Sequence, residues 1–372
     1  MHAAIRLEYD PPRTARVLQV ASLMDVPLDQ KLVVHIDADL PVEDRPWNVG
    51  LITGPSGAGK SSLAAELWAD AIVGEQQWGG GAIVDDFPAG MSIKGVTGLL
   101  GAVGLNSVPA WCKPFTLLSN GERFRAGVAR AMAETAGLVV VDEYGAFVDV
   151  EVARVASVAL SKAVRRAGRQ LVAITCRADD LEPWLAPDWV LELPIGDFQW
   201  RSVRRHPPVS VEIYAVDRAA WPLFAPHHYM STDLSPAAHC FGLWADGRLA
   251  GFTSYLHQPH AKVRNVKRVH RTVILPDHQG IGLGTLLSDW LGQHLYEQRY
   301  RLHYVTSQPV MTGILARSPR WREVGNRPRL QVGPRSQMRA AQLDPRRLNS
   351  RVFEYQPPKP GPSRPEHERG PG

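Results

Sequence analysis

Cysteine is scarce. Cys112, Cys176 and Cys240 are the only three in 372 residues, they lie far apart, and no CxxC pair occurs. Such a set builds neither a disulfide framework nor a zinc ribbon, and a reducing compartment is its simplest setting. Long apolar runs are missing too, none reaching the roughly 18 residues that span a bilayer. The first ten residues hold no apolar leader segment and carry acids where a leader would be basic. The expectation is a cytoplasmic protein without membrane insertion. No internal repeat is visible. What is present suffices for more than one core: 44% of residues are hydrophobic and 21% charged, in a chain that exceeds the usual domain size of about 100–200 residues.

The net charge of +5 hides an asymmetry. Residues 1–200 hold 17 Lys+Arg against 25 Asp+Glu, and residues 201–372 hold 25 against 12. An acidic first half joined to a basic second half points to a polyanion partner for the second. The sign changes near Arg201–Pro208, where Pro207-Pro208 punctuates the chain. Before it, strands are expected at Lys31–Ile36, Val49–Ile52, Leu138–Val141 and Leu171–Thr175, with helices at Ser61–Ala71 and Val152–Ala167. This alternation argues for an α/β domain. After the break, strands are expected at Cys240–Trp244, Gly251–His257, Lys267–Leu275 and Arg301–Thr306, with a helix over Gly284–Glu297. Six of the last 17 residues are proline, which reads as a disordered tail.

Gly54-Pro-Ser-Gly57-Ala-Gly59-Lys60-Ser61-Ser62 follows an apolar strand and opens a helix. Its spacing, GxxxxGK[ST], lets backbone N–H groups close around phosphates at a helix N-terminus. Lys60 would reach the β- and γ-phosphates, and Ser61 would ligate Mg²⁺. Downstream, Leu138–Val141 runs into Asp142 and Glu143. A buried strand would carry Asp142 to its end to hold the Mg²⁺ shell, and Glu143 would polarise the attacking water. Between them stands Leu118-Ser119-Asn120-Gly121-Glu122. With these three motifs in order, residues 1–200 resemble the ABC-type ATPases. The family's LSGGQ signature is LSNGE in this chain. The resemblance implies ATP and Mg²⁺ as cofactors, and a homodimer in which Ser119 and Gly121 reach the partner's nucleotide. It also places Asp149 where the family has its D-loop aspartate. Two departures stand out. Cys176 occupies the place of the switch histidine, so hydrolysis is expected to be slow and ATP to act as a clamp. No Q-loop glutamine is assigned, Asp85 and Asp86 lying in that region.

Val273-Ile-Leu-Pro276-Asp-His-Gln279-Gly280-Ile-Gly282-Leu-Gly284 is a strand, a Gly-rich turn and a helix start. Consecutive N–H groups at such a helix end suit a pyrophosphate. The stretch resembles motif A of the GNAT acetyltransferases, through Gln279, Gly282 and Gly284. That resemblance implies acetyl-CoA or a related acyl-CoA, held by Gln279, Gly280, Gly282 and Gly284, over about residues 209–345. Direct acyl transfer needs a base for the acceptor and an acid for the departing thiolate. His228, in the His227-His228-Tyr229 group, is the candidate base; Tyr304 and Ser307 are candidate acids, Tyr304 also reading as an ordinary strand aromatic. Basic runs at Lys262, Arg264, Lys267, Arg268, His270, Arg271 and at Arg317, Arg320, Arg322, Arg327, Arg329 around Trp321 suit nucleic-acid contacts.

Together these readings give an α/β P-loop ABC-type ATPase domain over residues 1–205. A GNAT-like α+β acyl-CoA-binding domain over 206–345 and a disordered Pro-rich tail over 346–372 follow. The order resembles a family of such fusions in prokaryotes and phages, and the second domain resembles the phage Mom-type enzymes that modify adenine in DNA. The expected function is acyl-CoA-dependent N-acyl transfer to nucleic acid, gated by ATP-driven dimerisation. An ATP-dependent nucleic-acid clamp with a non-catalytic second domain, or a transporter ATPase subunit, stays open at this point.

Overall fold

The computed structural model describes residues 1–24, 32–74, 76–201, 206–228, 233–259, 265–326 and 350–358. The chain divides into two compact units, Met1–Val209 with Pro276–Ile281, and Ser210–Leu275 with Gly282–Gly372. No helix among the described residues is long and apolar enough to cross a membrane.

In the first unit, β1 (His2–Tyr9) and β2 (Leu32–Asp39) pair antiparallel, with α1 (Ala15–Met24) between them in the sequence. Lys31, expected in that strand, lies outside the described residues. Next come β3 (Val49–Thr53), α2 (Lys60–Trp68), α3 (Ile93–Ala102), α4 (Val108–Trp111) and α5 (Asn120–Glu134). Then follow β4 (Leu138–Val141), α6 (Val150–Ala167), β5 (Gln170–Thr175), α7 (Ala178–Leu185), β6 (Trp189–Glu192) and β7 (Asp197–Trp200). The sheet order is β4-β5-β3-β6-β7, with only β7 antiparallel. All five residues of β3 are buried, as a strand covered on both faces requires. Expected helix Ser61–Ala71 is shorter, closing at Trp68 into a 3₁₀ turn, Ala69–Ala71. Gly168 stops α6 at φ 62°, the left-handed C-cap its position promised.

In the second unit the order is β8 (Val211–Ala215), α8 (Trp221–Phe224), β9 (His239–Ala245), β10 (Arg248–His257) and β11 (Val266–Ile274). There follow α9 (Leu283–Glu297), β12 (Arg301–Thr306), α10 (Pro309–Arg317), β13 (Trp321–Asn326) and β14 (Arg351–Tyr355). They make a seven-stranded sheet, β13-β14-β12-β11-β10-β9-β8. Its one parallel pair, β11 and β12, is in register only from Val266↔Arg301 to Arg268↔His303, although both strands run on. A bulge at Ser254/Tyr255 bends β10 against β11.

The C-terminal boundary needs correction. β14 falls inside the stretch expected as tail, yet it pairs with both β12 and β13. Phe353 is fully buried and Tyr355 nearly so. The ring of Tyr355 covers α9 at Gly292, where an added Cβ would stand 2.3 Å from a ring carbon. The second unit therefore extends past residue 345; residues 359–372 lie outside the described ones.

Candidate functional site

The parallel strands bring the phosphate loop, Asp142 and Cys176 to one edge. Thr53 is paired with Thr175 and Val141 with Ala173, so the segments opening at Gly54, Cys176 and Asp142 all leave the carboxyl ends of neighbouring strands. Ligands of open α/β sheets collect there. Gly54 has φ 142°, and a Cβ on it would meet the Leu193 carbonyl at 2.2 Å; Gly59, at φ 83°, sits against Ile36. Neither position admits a side chain. Gly57, at φ 81°, faces open space. The Lys60 ammonium donates to the carbonyls of Gly54 and Pro55, at 2.9 and 2.8 Å, and so lies across the loop. Nine residues of α2 point their N-terminus at the same place. A concave backbone, an ammonium and a helix end fit a polyphosphate. Ser61 is exposed on the first turn, Ser62 is half-buried beside it, and Asp142 is half-buried at the end of β4, which suits a Mg²⁺ shell.

Asp142 accepts the Glu143 N–H at 2.8 Å, and Glu143, exposed, takes φ 49°. Strain at this residue sits where a water-polarising carboxylate is expected. Asp149 is exposed and caps α6 by accepting from the Glu151 N–H. Arg177 donates to the carbonyls of Gly145 and Val148, which fixes the turn between Glu143 and Asp149. Cys176 is exposed beside it.

Ser119 is the N-cap of α5. Its hydroxyl accepts from the Glu122 N–H, and the Glu122 carboxylate accepts from the Ser119 N–H at 2.9 Å. The glutamate that departs from LSGGQ thus closes a capping box, satisfying two helix-end donors. Gly121 is buried against Val152, whose methyl would lie 2.5 Å from an added Cβ. Asp85 and Asp86 lie in a 3₁₀ turn, Ile83–Asp86, where Asp86 accepts from the Gly79 N–H. Ile72 bridges Val140 in parallel, and the chain runs from there to Gln76, whose amide donates to the Gly127 carbonyl on α5.

In the second unit Gly282 is the N-cap of the 15-residue α9 at φ 101°, exposed, with no side-chain cap and nothing within 4 Å of an added Cβ. Gly284 follows in the first turn. This open helix end, with a backbone that only glycine adopts readily, fits an anionic group such as a pyrophosphate. Gln279 and Gly280 behave differently and belong to the first unit. Gln279 is buried, and its amide oxygen accepts from the Asn106 N–H at 2.7 Å. Gly280 is pressed against Gly104 and Ala159.

His228 is buried at 8% exposure, edge-on to the Trp221 ring at 5.8 Å. Tyr304 is buried in the apolar cluster of Leu315, Trp321 and Phe353, and Ser307 is half-buried just past β12. Tyr229 lies outside the described residues, as do Lys262, Arg264, Arg327 and Arg329. Among the described basic residues, Lys267 sits over the rings of Tyr255 and Tyr300, Arg320 is 3.9 Å from Asp289, and Arg322 is 3.8 Å from Glu354. Burial and the neighbouring Arg271 and Arg268 push the His270 imidazole down to about 4. It is therefore neutral near pH 7, and its Nε2 accepts from the Ser235 N–H.

Residues 203–310 match the family model of the acetyltransferase (GNAT) family. None of the curated proteins matches the sequence. Among solved structures, a bacterial Atm1-family ABC exporter with ATP bound is similar at 18% identity and a TM-score of 0.34. The match covers 46% of this chain and 36% of the exporter, so the chain spans about a third of its length. A dimeric bacterial ABC transporter cassette is similar at 14% identity and a TM-score of 0.38, over 54% of this chain and 98% of the cassette. The ribosomal-protein-S18-alanine N-acetyltransferase from Escherichia coli is similar at 16% identity and a TM-score of 0.28, over 39% of this chain and 92% of that one. Residues 203–310 thus match the GNAT acetyltransferase family model, and the phosphate loop, the Ser119–Glu122 segment and the Asp142-Glu143 pair precede them.

Proposed function

We propose that the chain is an ATP-binding, acyl-CoA-dependent N-acyltransferase that dimerises through its ATPase half and acylates an amine on DNA or tRNA. The carrying observation is the coexistence, in one chain, of a GNAT family match over residues 203–310 with a phosphate loop spanned by Lys60. Bound acyl-CoA supplies the activated acyl group. The N–H groups after Gly282 hold its pyrophosphate. His228 takes the proton released as the amine–acyl bond forms and the acyl–sulfur bond breaks. Ser307 or Tyr304 returns a proton to the departing sulfur.

Dimerisation draws support from exposed apolar side chains next to the ATP motifs. Leu117, just before Ser119, is 69% exposed, and Phe147, just before Asp149, is 76% exposed. A second copy that brought Ser119 to the nucleotide would cover both. The nucleic-acid acceptor draws its support from the excess of cations in residues 201–372. With Cys176 in place of an imidazole, ATP serves as a clamp and is cleaved slowly.

Nucleoside mass spectrometry on total DNA and RNA from cells expressing the chain tests the reading. The expected result is a new acyl-sized mass that vanishes with Gly282→Glu and with Lys60→Ala. Absence of any new mass in the wild-type cells would remove the nucleic-acid acceptor, and a mass that survives Gly282→Glu would remove the acyl-CoA loop.

A further inference from the structure

A fully buried arginine ties the start of the acyl-CoA turn to the signature helix. Arg125 lies on α5, one turn past Gly121, and has no exposed surface. Its guanidinium donates to the carbonyl of Pro276 at 2.5 Å and to that of Asp277 at 3.5 Å. Both acceptors belong to the segment Pro276–Ile281, which is part of the first unit. Two further contacts hold that segment. The Asn106 N–H donates to the Gln279 side chain, and Gly280 is packed so closely that a Cβ would lie 2.7 Å from Ala159 Cβ and 2.9 Å from Gly104 Cα. Burial lowers the guanidinium to about 10, with the carboxylates of Asp277 and Glu122 acting against it, so the charge is retained near pH 7.

Burying a charge is costly unless it is paired and hydrogen-bonded. Here the charge bonds to backbone carbonyls, which fixes the height of the segment whatever its side chains are. A helix is a stiff element, so a displacement at the Ser119 end of α5 carries Arg125 with it. Gly282 comes directly after Ile281, and it is the N-cap that presents the anion site of α9.

We propose that Arg125 is a positioning residue of the acyl-CoA site, through which the signature helix sets the Pro276–Ile281 segment and couples acyl-CoA binding to ATP binding. The proposal rests on the reading of the Gly282–Gly284 turn as an acyl-CoA loop. Coupling between two ligands is reciprocal and commonly about 5- to 150-fold in affinity.

The test uses the full chain and calorimetric titration of acetyl-CoA with and without a non-hydrolysable ATP analogue and Mg²⁺. In the wild type the analogue should change the Kd for acetyl-CoA about fivefold or more. Arg125→Gln should abolish the change while the analogue still binds, and Arg125→Lys, which keeps the charge on a single donor nitrogen, should restore part of it. Amide hydrogen exchange over residues 276–286 gives a readout that needs no variant: it should respond to the analogue in the wild type. Acetyl-CoA that binds with the same Kd in both conditions, with unchanged exchange, overturns the coupling and leaves the acyl-CoA reading standing. Failure of acetyl-CoA to bind at all overturns that reading instead, and a persisting exchange response would then still support the link through Arg125.

Discussion

Ending the chain at residue 345 should destroy the second unit, although composition invites a cut there. The truncation removes β14, the strand between β12 and β13. Phe353 is fully buried and Tyr355 is 5% exposed. Full burial of a large apolar side chain contributes about 1.5–3 kcal/mol, so the two together contribute roughly 3–6 kcal/mol. Net stabilities of whole domains are about 5–15 kcal/mol. Further losses add to this. Among the described residues β13 pairs with β14 alone. Glu354 accepts from Arg301 and lies 3.4 Å from His303, and burial, which would push its carboxyl up, is outweighed by Arg301 and His303, which hold it below the usual range. Removing it takes away the carboxylate to which Arg301 donates. Differential scanning calorimetry on the full chain, on residues 1–358 and on residues 1–345 provides the assay, with acetyl-CoA and ATP titrations alongside. Residues 1–358 should melt like the full chain. Residues 1–345 should lose one thermal transition and acetyl-CoA binding, while ATP binding persists. A 1–345 chain that keeps both transitions and an unchanged Kd for acetyl-CoA would refute the reasoning.

Three other expectations concern single positions. Ser119→Ala removes the acceptor of the Glu122 N–H, so it should cost about 1 kcal/mol in thermal unfolding and also reduce ATP turnover; Ser119→Thr should preserve the stability. Cys176→His should speed phosphate release from ATP, read in a steady-state assay, because an imidazole can contact a γ-phosphate and a thiol cannot; rapid release by the wild type would contradict the clamp. His270, held down at about 4 against an ordinary 6.5, takes up its proton in the unfolded chain first. Stability of the second unit should therefore be full above about pH 6.5 and fall as the pH drops towards 4, a slope that His270→Gln should flatten in pH-dependent denaturant melts.

What could be read from the sequence was what chemistry ties to local spacing. The phosphate loop, the Asp142-Glu143 pair and the turn before α9 each combine a strand, special residues and a helix start within a dozen positions, and all three stand on the expected elements. The rest depended on partners far along the chain. Nothing near Gln279 announces that its amide meets Asn106, 173 positions away, and nothing near Arg125 announces that Pro276 will bury it. The strand Arg351–Tyr355 was obscured by the proline-rich stretch that follows, since composition averages over a window wider than a five-residue strand. Glu122 is a different case. It departs from LSGGQ, yet Ser119-x-x-Glu122 is itself the spacing of a capping box, and the structure forms both of its hydrogen bonds. The substitution keeps the helix N-terminus built around Ser119, the residue the ATP reading needs there, by a physical route that family likeness alone does not reveal.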